Sequence, residues 1–265
     1  MRSVLFSLFV LSFVFPLSGT QALIFGADDR LTVTTTPGSP FSSVGIVYGG
    51  SPGVYATAFL IDDCHALTIQ HVFGKSASAK GRRTIVAFEV EGPPDSWAAT
   101  RAKVVADGAI EMNGRKGITA HINDWALLRL SKCLGKTFGH VRLSARIPSP
   151  SDEIGIAGYP EDRPLSEGLS IDARCHVRAI RSLTILHDCA ALPGNSGSPL
   201  FRVVRENGRT VLETFGIVEG AHSHHDLGRN VIDARDNYPD AVWNVATVIC
   251  GNDSLAAARL RCRQD

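Results

Sequence analysis

The sequence predicts an all-β protein, built as barrels or as a sandwich, with a short helix near its C-terminal end. Apolar runs of strand length recur along the chain, separated by clusters of Gly, Pro, Asp and Ser. Many short strands at this spacing point to a sandwich or barrels and away from a βαβ sheet. Six cysteines behind an apolar leader add a second signal, a chain that folds in an oxidising compartment with disulfides as staples.

The leader comes first. Arg2 precedes an apolar run from Val4 to Leu17, and small and polar residues follow, Ser18-Gly19-Thr20-Gln21-Ala22. A positive start, a short apolar core and a small-residue exit describe a secretory signal peptide over residues 1–22, cleaved after Ala22. A membrane span needs about 20 apolar residues, and Pro16 breaks this run near its end. The strands then follow in order: 44–48 before the turn cluster Gly49-Gly50-Ser51-Pro52-Gly53, then 55–61, which Asp62-Asp63 can turn back into 66–69. Further runs lie at 84–90, 102–105, 124–130, 153–157, 169–177, 182–187, 211–219 and 242–248. Residues 253–261 carry good helix formers behind a cap at Asp253 or Ser254. Glycines and a proline over 132–148 mark a boundary between two β units.

Removing the leader removes one cation, Arg2, and balances Lys and Arg against 26 Asp and Glu. A side-chain charge near zero gives no electrostatic case for nucleic acid or for an anionic membrane. Cys64, Cys133, Cys175, Cys189, Cys250 and Cys262 all lie in the mature part. Cys175 with Cys189 and Cys250 with Cys262 are close in sequence, which leaves Cys64 with Cys133, although six cysteines allow other pairings. No CxxC unit is present, and His222-Ser223-His224-His225 is too tightly spaced for all three to reach one ion, so neither metal nor cofactor is expected. Residues 226–240, rich in Asp and Arg, read either as an exposed loop with weak surface ion pairs or as a rim that selects substrate.

The most informative segment is Gly194-Asn195-Ser196-Gly197-Ser198-Pro199. A serine hydroxyl is a weak nucleophile that needs an exposed position, a base and an oxyanion site. The glycines permit a tight turn and let the amides of Gly194 and Ser196 point together at one oxygen. Loss of one such donor costs about 3–4 kcal/mol of transition-state stabilisation. The segment is not the G-x-S-x-G elbow of α/β-hydrolases, because Ser198 stands where the last glycine would be. It resembles the active-serine loop of chymotrypsin-like serine proteases, usually Gly-Asp-Ser-Gly-Gly-Pro. The two departures, Asn195 and Ser198, are familiar in the bacterial glutamyl-endopeptidase branch.

Two further motifs carry the same resemblance. Leu67-Thr68-Ile69-Gln70-His71 is similar to the family's Leu-Thr-Ala-Ala-His, and Asn123-Asp124-Trp125-Ala126-Leu127-Leu128-Arg129-Leu130 to Asn-Asp-Ile-Ala-Leu-Leu-x-Leu. An acid at the mouth of an apolar strand needs a partner, which favours Asp124 over Asp62, Asp63 or Asp107. The order His71, Asp124, Ser196 is that of chymotrypsin and differs from subtilisins and α/β-hydrolases. The resemblance spans about residues 24–248 and implies two antiparallel six-stranded β-barrels packed face to face, at about 41–132 and 148–250. His71 and Asp124 would sit on the first and Ser196 on the second. It implies a secreted or periplasmic monomeric serine endopeptidase that acts on protein or peptide substrates without a cofactor. A catalytically silent binding protein of the same fold and a serine esterase are the competing readings.

Ile24-Phe25-Gly26-Ala27-Asp28-Asp29-Arg30 resembles the mature start of glutamyl endopeptidases. Asn195 cannot pair with a new amino terminus as the corresponding acid of trypsins does, so no trypsin-like activation switch is expected. By the same resemblance Ala190 lies at the base of the primary pocket, with Val218, Glu219, Gly220 and Ala221 in its wall and Asn244 beside them. Ala190 is not the aspartate that would hold Arg or Lys. Val218 stands where glutamate-specific relatives carry His, and glutamate specificity stays open through His222 or the amino terminus.

Overall fold

The computed structural model describes residues 24–50, 52–74, 78–89, 94–108, 123–150, 152–181, 183–221, 231–232, 243–251, 255 and 262. The expected leader, His222-Ser223-His224-His225, most of the expected rim over 226–240 and most of the expected C-terminal helix lie outside them, although Leu255 is described and buried.

The chain forms two closed six-stranded antiparallel barrels. Two short strands precede them, β1 (Ile24–Phe25) and β2 (Leu31–Val33). The first barrel consists of β3 (Val44–Tyr48), β4 (Tyr55–Leu60), β5 (His65–Thr68), β6 (Arg83–Phe88), β7 (Ala98–Asp107) and β8 (Ala126–Leu130), closed in the order β3-β4-β5-β8-β7-β6. A single-turn helix, α1 (Gly135–Phe138), and β9 (Arg142–Leu143) lead out of it. The second barrel consists of β10 (Glu153–Gly158), β11 (Leu169–Arg181), β12 (Thr184–His187), β13 (Pro199–Glu206) and β14 (Arg209–Ala221), with β15 (Val231–Ile232) outside it and β16 (Asn244–Val248) completing it. Its ring runs β10-β13-β14-β16-β12-β11 and closes through β10 and β11.

Local chemistry explains these elements. Asp62 ends β4 by accepting the amides of Cys64 and His65 on Oδ1, both at 2.7 Å, which turns the chain into β5. Asn207 (φ 50°) and Gly208 (φ 76°) form the two-residue turn of the β13–β14 hairpin, in which Glu206 faces Arg209. The sequence reading missed β13 because Arg202, Arg205 and Glu206 interrupt its apolar pattern. Two of these charges are paired: Arg202 and Arg142 both reach the buried Glu213 on β14, and Arg142 also reaches Glu206. Ile154, Ile156, Val177, Ile185, Phe215, Val218 and Val248 pack inside the second barrel. The larger cluster fills the first barrel and continues through Phe201 and Ile217 into the junction between the two. The disulfides are Cys64–Cys133, Cys175–Cys189 and Cys250–Cys262. Cys175–Cys189, 14 residues apart, ties β11 to the segment that leads into Gly194-Asn195-Ser196, a loop closure worth about 3 kcal/mol in the chain-entropy account.

The Asp28-Asp29-Arg30 segment is a clip. The Arg30 side chain is 1% exposed and is held by Asp28 (2.7 Å) and Asp162 (2.6 Å). Arg163 reinforces it by donating to Thr32 Oγ1 (2.7 Å) and the Arg30 carbonyl (3.3 Å). Ahead of the clip, β1 pairs with β15, and Ile24 packs on Ala190 and Leu192 beside the predicted nucleophile. Arg30→Met is expected to lower stability in urea unfolding by about 2–3 kcal/mol, since it strands two aspartates around an apolar side chain. Arg174→Ala, which removes a largely exposed pair with Asp29, should change it by about 0.5 kcal/mol or less. Hydrogen bonding by Arg30 holds the Asp28 carboxyl down at about 2. The clip's contribution is therefore present above the ordinary value of 3.8 and is lost as pH falls toward 2.

Candidate active site

His71 opens a single turn of 3-10 helix (His71–Phe73) directly after β5, anchored by the buried side chains of Val72 and Phe73. Asp124 stands at the entry to β8, the strand paired with β5, so the two barrel strands bring the residues side by side. The Asp124 carboxylate is fully buried. Its Oδ1 accepts the amides of Gln70 and His71, both at 2.9 Å, and its Oδ2 accepts Nδ1–H of His71 at 2.6 Å. That bond fixes the ring and leaves Nε2 as its second polar atom. Burial opposes a charge on His71, but the Asp124 charge and hydrogen bond outweigh it and raise the imidazole above 6.5.

Ser196 lies in the loop between β12 and β13, which is shaped by two glycines with positive φ. Gly194 (φ 91°) passes so close to Tyr159 that a Cβ would meet its carbonyl at 2.3 Å. At Gly197 (φ 86°) a Cβ would meet the Thr57 carbonyl at 2.1 Å and Ile69 N at 3.1 Å. The loop therefore lies against the end of β5, just ahead of His71. The Ser196 hydroxyl donates to the carbonyl of Glu219 (3.1 Å). Among the described residues neither the Gly194 amide nor the Ser196 amide has a protein acceptor, while Asn195, Gly197 and Ser198 donate theirs to Leu192, Val218 and Asn195. Two free N–H groups on one tight loop are what a developing oxyanion requires.

Thr57 was not singled out by the sequence, and it holds this loop to the first barrel. It sits fully buried on β4. Its hydroxyl donates to Gly194 O (2.8 Å) and accepts from Tyr159 N (3.1 Å), and its amide donates to Ser196 O (2.9 Å). Thr68 Oγ1 in turn donates to Thr57 O (2.7 Å). A threonine inside an apolar strand, Tyr55-Ala56-Thr57-Ala58-Phe59-Leu60, was the available signal.

The predicted pocket residues are brought to this side of the second barrel. Ala190 donates its amide to the buried Asp172 (2.8 Å) and accepts from Asn195 Nδ2 (3.3 Å). Asn244, buried beside it, donates to Cys189 O (2.6 Å) and pairs with Ala221 across β14 and β16. Val218 points into the barrel core, and the space over Gly220 is open. The Glu219 carboxyl does not join the Asn244 side of this group. A bulge between Val218 and Gly220 turns it to Thr247, whose hydroxyl donates to it. His222 lies outside the described residues. Among the described residues no group of His, Cys, Asp and Glu is arranged to hold a metal ion.

Followed by NMR, His71 should titrate above 6.5 in the wild type. Asp124→Asn should bring it below, because burial then acts unopposed. Linkage has the matching sign: the pair stabilises the fold below 6.5, and this contribution is lost as pH rises through the folded-state value. Gly197→Ala should destabilise the fold by about 3 kcal/mol or more in chemical denaturation, combining positive-φ strain with a backbone clash.

The chain has wide structural likenesses. A structure of a Glu endopeptidase in complex with MPD is similar over 90% of this chain and 100% of that one, with a TM-score of 0.63 and 20% identity. A serine endoprotease from Yersinia pestis is similar over 82% of this chain and 61% of that one, with a TM-score of 0.50 and 16% identity. At these identities the likeness shows the fold. No curated protein matches the chain. The family model of the trypsin-like peptidase domain matches residues 56–210, and with more than half of its length so matched the chain belongs to the trypsin-like peptidase family.

Proposed function

We propose that the protein is a secreted serine endopeptidase in which Ser196 is the nucleophile, His71 the general base and acid, and Asp124 the group that orients and stabilises the imidazole. The observation that carries this reading is the bond from His71 Nδ1 to the buried Asp124 carboxylate beside a loop that presents Ser196 with two free amides. In this reading the Ser196 hydroxyl leaves the Glu219 carbonyl and gives its proton to His71 Nε2 as its oxygen attacks the scissile carbonyl. The Gly194 and Ser196 amides hold the oxyanion, His71 protonates the leaving amine, and water resolves the acyl-enzyme. Each proton passes through one imidazole, and Asp124 remains ionised throughout.

One feature supports export. All six cysteines are in disulfides, as an oxidising compartment allows. Among the described residues no helix is long and apolar enough to cross a membrane. For specificity, the alanine at position 190 argues against strict cleavage after Arg or Lys. One structural neighbour is a Glu endopeptidase, which keeps glutamate before the cut among the readings.

Digestion of a diverse peptide mixture by the mature protein, read by mass spectrometry beside Ser196→Ala, tests the proposal. The wild type should cleave, and the variant should lose about four or more orders of magnitude in rate. Equal cleavage by both would sink the assignment of Ser196. Absence of cleavage by either would favour a silent binding protein, and turnover of small esters alone would favour an esterase.

A further inference from the structure

We propose that Glu219 is a positioning residue of this site, a buried carboxylic acid held neutral so that Asp124 alone carries negative charge there. The inference rests on the catalytic reading of His71, Asp124 and Ser196 given above. Glu219 is the residue at the bulge of β14, and it meets the site through both its halves. Its carbonyl accepts the Ser196 hydroxyl, and its carboxyl lies buried with Oε1 on the Thr247 hydroxyl.

The surroundings of the carboxyl decide its charge. From the segment ahead of β8 it feels Asp124, from β16 it faces the Thr247 hydroxyl, and from the nucleophile loop Ser196 meets its carbonyl. No cation among the described residues forms an ion pair with it, and Oε2 is buried without a hydrogen-bond partner. Two carboxyls in one dry site cannot both ionise cheaply, so the charge goes to the better solvated one. Asp124 accepts three N–H donors, from Gln70, His71 and the His71 ring, whereas the Glu219 side chain has one hydroxyl. Burial and the Asp124 charge accordingly push the Glu219 carboxyl well above its ordinary value.

A neutral acid here has a purpose that an anion would defeat. It adds no second charge to the interior that holds Asp124, so the bond from Asp124 to His71 acts without a competing anion. Because it is uncharged, it does not tighten the hold of His71 on its proton, and the base stays free at lower pH. Through its backbone it also fixes the carbonyl on which the resting Ser196 hydroxyl is parked.

The test combines infrared spectroscopy with pH–rate profiles of the full mature protein. At neutral pH the wild type should show the carbonyl stretch of a buried protonated carboxylic acid, absent in Glu219→Gln. Glu219→Ala should lower kcat by about tenfold or more with KM little changed, and Glu219→Gln should recover most of that loss. The acid limb of kcat/KM, which reports His71 in the free enzyme, should coincide in wild type and Glu219→Gln. A missing infrared band would overturn the proposal. So would an acid limb that falls by about half a pH unit or more in Glu219→Gln, since an ionised glutamate would then have been acting on His71. An unchanged kcat in Glu219→Ala would remove its positioning role. Ser196→Ala assayed in parallel separates the two readings: undiminished hydrolysis by that variant would reject the catalytic assignment, while the infrared band would still decide the charge of Glu219.

Discussion

The arrangement depends on one buried threonine. Thr57 belongs to the first barrel, yet it holds the carbonyls of Gly194 and Ser196 and the amide of Tyr159, all from the second. These bonds form where water is excluded, and each leaves a buried polar group unsatisfied if it is lost. The Ser196 loop adds bonds of its own, from Asn195 to Leu192, from Ser198 to Asn195 and from Gly197 to Val218. Its glycines supply conformational freedom, and the Thr57 carbonyl fits against the face of Gly197 where a side chain would otherwise stand. Packing of the two barrels and geometry of the proposed nucleophile are thus one constraint.

Burial sorts the carboxyl groups of this protein by their partners. Glu213 is fully buried and tolerated because Arg202 and Arg142 both reach it. Asp124 is fully buried and tolerated because three N–H groups converge on it. Glu89, in the junction, has the hydroxyls of Thr35 and Tyr159 as side-chain donors, and burial raises its carboxyl above the ordinary value. Asp172 under Ala190 is raised by burial in the same way, against two backbone amides that lower it. At Glu89 and Asp172 the donors that reach the carboxyl do not offset its burial, and both move toward neutrality.

The proposed catalytic residues were legible in the sequence because their motifs are local. Leu67-Thr68-Ile69-Gln70-His71, the strand opened by Asp124, and Gly194-Asn195-Ser196-Gly197 each fit one short stretch of backbone. The barrel strands were legible where apolar runs met turn residues, and the three cysteine pairs where proximity suggested them. What escaped depends on residues far apart in sequence. β13 was hidden by charges whose partners lie on β14 and near β9. β1 and β2 are too short to show a period, and β2 is fixed by pairing with β11. Arg30 was read only as part of a mature start, since its partner Asp162 lies 132 residues away. Thr57 gave no signal beyond a polar residue among apolar ones, and Glu219 was read only as part of the pocket wall.

The Thr57 bonds also bear on how such a protein comes into being. A chain emerging amino terminus first presents its first barrel before its second, and His71 with Asp124 before Ser196. The loop around Ser196 has no template until β4 is already in place, and the base has no nucleophile until the second barrel has closed. A half-folded molecule therefore carries the parts of a hydrolase without their alignment. Competence arrives with the final docking step, so neighbouring chains still unfolded in the same compartment meet a finished, selective cleft instead of a loose reactive serine.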